Sequence, residues 1–579
     1  MQKLIRTVLR EDGFGAMFEE CSLKNKKLHV LLFFEAVVIF GIHIFNNGKL
    51  YGFFLTEDEL GYWGSAAYML GKDWGHVVSF CPYYSYGYSF FLMLILSLPV
   101  QPLSAYRLAI AANGLFMAAV FGISYYLFTR VFPKKNKIVM SIFCMAMSLC
   151  ASYVAQSSVA WSECYLVLLV WLIILQAYLV CEKTTLPRLL VLAVEAVYLY
   201  MIHQRTVGFM ISTVIFIGIW AIRHKKISTL KTIVIVLVMG GLLLAAILLK
   251  NHIQSAIYGS GDLLNTYSGV LKSLKISTLF IPVIKTACGQ MFYLWASSFG
   301  IVPLGIAATI YMCIKNWKTK NRLCYFYGFI LLSFLGIFAV SCIWMSLRNS
   351  LLDYYMYGRF NEIITGFFII VGFIALSYFV KQKKGWIIFG ISTILLIGLT
   401  VVLQSRFHRA PGLYYQGVGA AGLFGLYSLM GYFDARELFL IVFAASLVLF
   451  GLGRKFADRK WTFAAEAIVI TLFWIWSGES VVQKQIIPYQ LGNNYDLAVK
   501  DNLLESIRNG DEVVFLTDTG RYSGSSTISS VEWDGTSQSI TMQFHLWEET
   551  GNIEFRYFKN EGNDVVPLEL TLRNIEEWK

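Results

Sequence analysis

Apolar runs long enough to cross a bilayer, about 20 residues each, recur along this chain almost to its end. They fall near residues 28–45, 104–131, 138–157, 162–181, 186–202, 206–222, 231–250, 290–314, 323–346, 361–380, 386–404, 436–453 and 461–480, which predicts thirteen crossings. Residues 86–100 are apolar but short and end at Pro99, so they read as an interfacial helix that does not cross. Basic clusters punctuate the runs: Lys134-Lys135-Asn136-Lys137, Arg223-His224-Lys225-Lys226, residues 315–322, Lys381-Gln382-Lys383-Lys384 and residues 454–460. Such clusters stay in the cytoplasm. Lys3, Arg6, Arg10, Lys24, Lys26 and Lys27 precede the first run, so the N-terminus is expected inside and the C-terminus outside.

The pattern changes after residue 482. Short alternating stretches such as Glu512-Val513-Val514-Phe515-Leu516 and Ser539-Ile540-Thr541-Met542-Gln543-Phe544, separated by Gly-Asp turns, predict strands. The expected organisation is therefore a membrane domain over 1–482 and a small extracytoplasmic β-rich or α+β domain over 483–579. The latter is near the lower size for an independent core and is expected to lean on the membrane part.

Composition agrees. Of 579 residues, 57% are hydrophobic and 15% charged, against about a quarter charged in soluble domains. The net charge of +12 is a topology signal, not a nucleic-acid-binding surface, because its basic residues sit between apolar runs. The ten cysteines are scattered, several inside apolar runs (Cys144, Cys150, Cys181, Cys313, Cys324, Cys342), without CxxC or metal-ligand spacing, and read as small core residues. No cleavable signal peptide is expected, since the first apolar run is long and lacks a small-residue cleavage site.

Candidate chemistry gathers on the predicted outer side. Glu57-Asp58-Glu59 follows the first crossing and opens a helix expected to end at Gly71, with Tyr62, Trp63 and Tyr68 as an aromatic belt at the membrane surface. Arg107 opens a crossing; Glu163, His203, Arg205, Arg359, Arg406 and His408 border others. Each alone could snorkel or make a local ion pair, but charge at span ends is costly and often functional. Arginines suit bidentate phosphate binding, and a carboxylate beside them suits deprotonation of an acceptor hydroxyl. A divalent metal held by Asp58 or Glu59 with Glu163 or His76 is an open alternative whose spacing is not diagnostic. Glu195 lies mid-span and either pairs within the bundle or marks a polar cavity. Gly417-Val418-Gly419-Ala420-Ala421-Gly422 lacks a preceding strand and reads as a packed or re-entrant segment instead of a nucleotide loop.

Asp58-Glu59, the aromatic stretch from Tyr62 to Leu70, the Gly71-Lys72-Asp73-Trp74 turn, Pro82-Tyr83-Tyr84 and Arg107 together resemble the GT-C superfamily of integral-membrane glycosyltransferases. The likeness is to the branch of the protein O-mannosyltransferases and the lipid A aminoarabinose transferase, and is strongest over 50–135. The resemblance implies a GT-C-like helical bundle and a polyprenyl-phosphate-linked sugar donor. It also implies Asp58 as base, supported by Glu59, with Glu163 matching a second acid by location. After Pro82 this chain departs from the branch: the lysine and paired prolines often seen there are replaced by Tyr83 to Tyr88.

Two classes of function follow. One is sugar transfer to a glycan, lipid or protein acceptor on the outer face of a bacterial plasma membrane, among membrane lipid and without nucleic acid. The other is transport of a lipid-linked sugar, which would favour internal pseudo-symmetric halves; none is visible in the sequence. A non-catalytic scaffold would leave Asp58 and Arg359 dispensable.

Overall fold

The computed structural model describes residues 26–50, 52, 54, 56–72, 85–100, 102–224, 229–258, 276–347, 352–405, 417–459 and 461–493, with the strands of the C-terminal stretch. Helices run in chain order as α1 (Lys26–Ile44), α2 (Thr56–Met69), α3 (Ser89–Leu96), α4 (Pro102–Val131), α5 (Lys137–Ser148), α6 (Ala151–Gln156) and α7 (Glu163–Glu182). They continue as α8 (Leu186–Ile202), α9 (Val207–His224), α10 (Thr229–Ile257), α11 (Ile276–Ala296), α12 (Ile301–Lys318), α13 (Leu323–Ser346), α14 (Leu352–Tyr355) and α15 (Arg359–Phe379). The last are α16 (Lys383–Gln404), α17 (Ala421–Met430), α18 (Ala435–Lys455), α19 (Thr462–Val481) and α20 (Ile487–Asn493).

Among the described residues, ten helices are long and apolar enough to cross a membrane, and the bent pair α11–α12 makes an eleventh if it counts as one span. The protein is an integral membrane protein. Two further expected spans are present as shorter helices: α8 has 17 residues, and 138–157 is split into α5 and α6. Local chemistry sets many of the ends. Asn136 accepts from the backbone N–H groups of Ile138 and Val139 to start α5, and Asp434 accepts from those of Arg436 and Glu437 to start α18.

The apolar run 290–314 is expected from the sequence to be one span. It is instead broken, with α11 and α12 meeting at 103°. Gly300 adopts φ +82°, and its N–H closes back on the Trp295 carbonyl at 3.0 Å, a left-handed helix end that glycine accepts without strain. The stretch from Leu279 to Ile284, ahead of that apolar run, belongs to the first turns of α11.

The first loop also differs in one respect. Its helix α2 does terminate where expected, with Gly71 at φ +77°, and the short α3 packs against it. Tyr62 and Trp63, however, are fully buried instead of forming a belt at the membrane surface. Their polar tips find partners inside: Trp63 Nε1 donates to the Ala160 carbonyl at 3.2 Å, and Ser162 Oγ donates to the Tyr62 hydroxyl at 2.9 Å.

At the centre stands α15, buried from Arg359 to Leu376. Phe367 and Phe368 meet Phe128, Phe326 and Phe334 at ring-centroid distances of 5.1–5.9 Å. The segment expected to be packed or re-entrant is packed: Gly417–Gly419 forms a buried turn leading into the buried start of α17. The last crossing runs past its expected end through a π-helical turn, Val482–Ile486, into α20. Beyond it, strands Ser537–Ile540, Arg556–Glu561 and Asp564–Val565 pair antiparallel in that order.

The residue before Arg359 is one of the tight points of this assembly. The Gly358 N–H donates to the Gly419 carbonyl at 2.7 Å, and a methyl group at Gly358 would collide with the ring of Tyr293. Gly358→Ala is therefore expected to cost about 1–3 kcal/mol through overpacking, measured as a lowered apparent Tm in detergent against wild type.

Candidate active site

The two neighbouring acids of α2 have different surroundings. Glu59 is fully buried. Its carboxylate accepts from the Phe54 N–H at 2.6 Å, the Tyr106 hydroxyl at 2.9 Å and the Ala160 N–H at 3.0 Å. It thus ties the chain before α2 to α4 and to the turn before α7. Asp58, one residue earlier and about 100° around the helix, keeps 19% of its side chain exposed and meets Arg359.

Arg359 opens α15 and is the middle of a ladder of charges. Its Nη1 donates to Asp58 Oδ2 at 2.9 Å, and its Nε donates to Glu163 Oε1 at 2.6 Å. Glu163, the first residue of α7, is fully buried and accepts on Oε2 from Arg205 Nη2. Two carboxylates thus face two guanidiniums, and only the Asp58 end approaches solvent. Aromatic rings pack against the cations: Arg359 lies 3.7 Å over Trp161, and Arg205 lies 4.5 Å over Phe360. The Tyr357 hydroxyl accepts from Arg359 Nη1 at 3.4 Å; burial raises its phenol above the ordinary range, opposed by the nearby guanidinium.

Several donors in this cluster have no acceptor. Arg205 is 2% exposed, yet its Nε and Nη1 find no partner, and neither does the indole Nε1 of Trp161. Buried polar atoms are almost always satisfied in native proteins. Three open donors beside one ion-pair ladder can therefore receive an oxygen-rich group.

The remaining sequence-predicted residues fall in different places. His203 caps the turn carrying Arg205, its Nδ1 accepting the Arg205 N–H at 3.2 Å, and its ring meets Phe360 edge-on. Arg107 holds the turn after α1 by donating to the carbonyls of Gly48 at 2.9 Å and Leu50 at 3.2 Å. Arg406, His408, His76, Asp73, Pro82 and Tyr83 lie outside the described residues. Among those described, no group of three His, Cys, Asp or Glu side chains could hold a metal ion. Glu195 is half-buried on α8, and its Oε2 has no partner. Sequence reasoning missed Trp161. Its only signal is adjacency to Glu163, and an aromatic residue among apolar residues carries none of its own.

Scanned against protein-family models the sequence matches none, and a search of curated proteins finds no match. Two solved structures are similar to the chain. One is the crystal structure of ArnT from Cupriavidus metallidurans bound to undecaprenyl phosphate, at 14% identity and a TM-score of 0.43, covering 80% of this chain and 78% of that one. The other is the same protein in the apo state, again at 14% and 0.43, covering 79% and 78%.

Two outcomes are expected. Glu59→Ala strips the acceptor from three buried donors and should lower the apparent Tm strongly, at about 1–3 kcal/mol per orphaned group. Asp58→Asn should leave the Tm close to wild type. Burial, reinforced by Arg205 and Arg359, holds the His203 imidazole well below its ordinary 6.5. Below about pH 6.5 the unfolded chain binds a proton that the folded chain refuses, so stability falls with falling pH. His203→Gln should flatten that part of the Tm-against-pH curve; an unchanged slope would remove His203 from the account.

Proposed function

We propose that this chain is a glycosyltransferase of the GT-C type that moves a sugar from a polyprenyl-phosphate carrier to a hydroxyl of a cell-envelope acceptor. The observation that carries this reading is the ladder itself: Asp58 at its open end, two guanidiniums behind it, and unpartnered donors on Arg205. Arg359 already serves Asp58 and Glu163, so the open Nε and Nη1 of Arg205 are the groups best placed to donate to a phosphate oxygen.

In the proposed reaction Asp58 takes the proton of the acceptor hydroxyl as its oxygen attacks the anomeric carbon. The bond from that carbon to the phosphate oxygen breaks, and the lipid phosphate leaves with one additional negative charge. Asp58 loses one negative charge in the same step, so the net charge of the site is unchanged. Arg359 orients Asp58, and the guanidiniums stabilise the charge that develops on the leaving phosphate. Glu59 contributes by fixing the helix on which Asp58 sits.

The same reading places the N-terminus in the cytoplasm, the ladder toward the outer face of a bacterial plasma membrane, and thirteen crossings in the bundle. An outer domain follows α20; the antiparallel pairing of its three short strands supports a β-rich character.

The test is transfer of radiolabel from polyprenyl-phosphate sugars in membranes, beginning with undecaprenyl-phosphate donors. Asp58→Asn should lower turnover about 10²- to 10⁴-fold while the protein remains folded. Arg205→Ala should weaken use of the donor. If wild type consumes no donor but moves a lipid-linked sugar across the bilayer, and both variants match it, the chain is a transporter and this reading is wrong.

A further inference from the structure

One buried carboxylate beside the ladder takes no part in it. Glu362 lies one turn after Arg359 on α15 and is 6% exposed. An acid inside a membrane bundle is costly unless it is paired or used. Its own helix does not satisfy it. The Tyr293 hydroxyl donates to Oε1, and Gln156 Nε2 donates to Oε2 at 3.3 Å. These partners come from α11 and α6, so the carboxylate joins three segments.

Tyr293 extends the connection. Its hydroxyl accepts the Gly422 N–H at 3.2 Å, and its ring occupies the space that a side chain at Gly358 would need. Gly358 in turn donates its N–H to the Gly419 carbonyl at 2.7 Å. Further along, Ser477 Oγ bridges the Gly425 N–H at 2.9 Å and the Ala421 carbonyl at 2.6 Å, stapling the start of α17 to α19. The backbone leading into Arg359 is therefore held on one side by the Tyr293 ring and on the other by Gly419. The Glu362–Tyr293 hydroxyl bridge connects both supports.

We propose that Glu362 and Tyr293 are a positioning pair for Arg359: their bridge to the Gly419–Gly422 turn fixes the start of α15, and with it the point at which the guanidinium meets Asp58. The pair rests on the transferase reading for its catalytic consequence, but the clamp is a property of the fold. It touches no substrate. It acts through Arg359, whose side chain spans Asp58 and Glu163 and tolerates little displacement without losing one of them.

The experiment compares kcat, donor KM and apparent Tm for wild type, Tyr293→Phe, Glu362→Gln and Glu362→Leu in nanodiscs with an undecaprenyl-phosphate sugar donor. Tyr293→Phe keeps the ring in its place and removes only the bridge. It is expected to lower kcat about 10- to 100-fold, the cost of slight misplacement, with donor KM within about threefold and a Tm lowered only as far as the orphaned Gly422 N–H requires, with the protein still folded at the assay temperature. Glu362→Gln keeps an acceptor for Tyr293 and should retain more activity than Glu362→Leu. A kcat unchanged in Tyr293→Phe, or one that falls only in step with Tm, overturns the proposal. If wild type transfers no sugar at all, the transferase reading fails separately, and hydrogen exchange then judges the clamp. Peptides covering 356–364 should exchange faster in Tyr293→Phe; equal exchange overturns the clamp as well.

Discussion

A fully buried carboxylate shared by two buried guanidiniums is the constraint on which the centre of this protein depends. Glu163 cannot remain charged in an apolar bundle without them, and neither cation can remain there without an acid. Each partner arrives from a different place: Glu163 from the start of α7, Arg205 from the turn between α8 and α9, and Arg359 from the start of α15. The ladder therefore fixes three helix ends relative to one another. Losing Glu163, Arg205 or Arg359 would leave an uncompensated buried charge, at a cost of about 3–5 kcal/mol. The faces of Trp161 and Phe360, packed against the two guanidiniums, add to that constraint.

With those ends fixed, the adjacent acids of α2 are free to divide their work. Consecutive residues on a helix do not face the same side, so Glu59 can turn inward to three donors while Asp58 turns to Arg359. The inward bonds hold α2 still, and the helix carries Asp58 to the ladder. The same layout extends toward the chain end. Gln490 on α20 donates to the Tyr106 hydroxyl at 3.1 Å, and that hydroxyl serves Glu59. The last helix thus reaches the first loop through the shared Tyr106 hydroxyl and through the ring of Tyr489, which meets Phe54 edge-on at 5.7 Å.

Much of this was legible in the sequence, and what was not has identifiable causes. Hydropathy located the long helices because a bilayer-spanning helix must be apolar along its length. It could not locate the bend at Ser297 to Gly300, where the residues stay apolar or small and the chain turns through left-handed backbone at Phe299 (φ +51°) and Gly300 (φ +82°). Tyr62 and Trp63 looked amphipathic, and a single chain does not reveal whether a polar tip meets water or, as here, a serine hydroxyl or a backbone carbonyl. Asp58, Glu163, Arg205 and Arg359 stood out one by one as expensive charges at span ends. Their association did not, since Asp58 and Arg359 are 301 residues apart. Tyr293 and Gln156 gave no signal at all, because their importance lies wholly in what they touch.

On the proposed reading, the balance of charge suits such a ladder to group transfer from a phosphate. Within the ladder itself two acids face two cations, so the charges of these four side chains offset one another in low-dielectric surroundings. An arriving phosphodiester adds one negative charge, which the unpartnered donors of Arg205 and Trp161 can solvate without breaking an existing bond. A proton moving onto Asp58 then cancels the charge gained by the departing phosphate. It also weakens the hold of Asp58 on Arg359 Nη1, releasing a donor toward the product when the phosphate is most negative. A site with spare cations would instead bind the phosphate tightly from the outset and hold it after the sugar had left, slowing turnover. In the proposed reaction the pairing of acids and arginines would thus favour the transition state over either lipid-linked ground state.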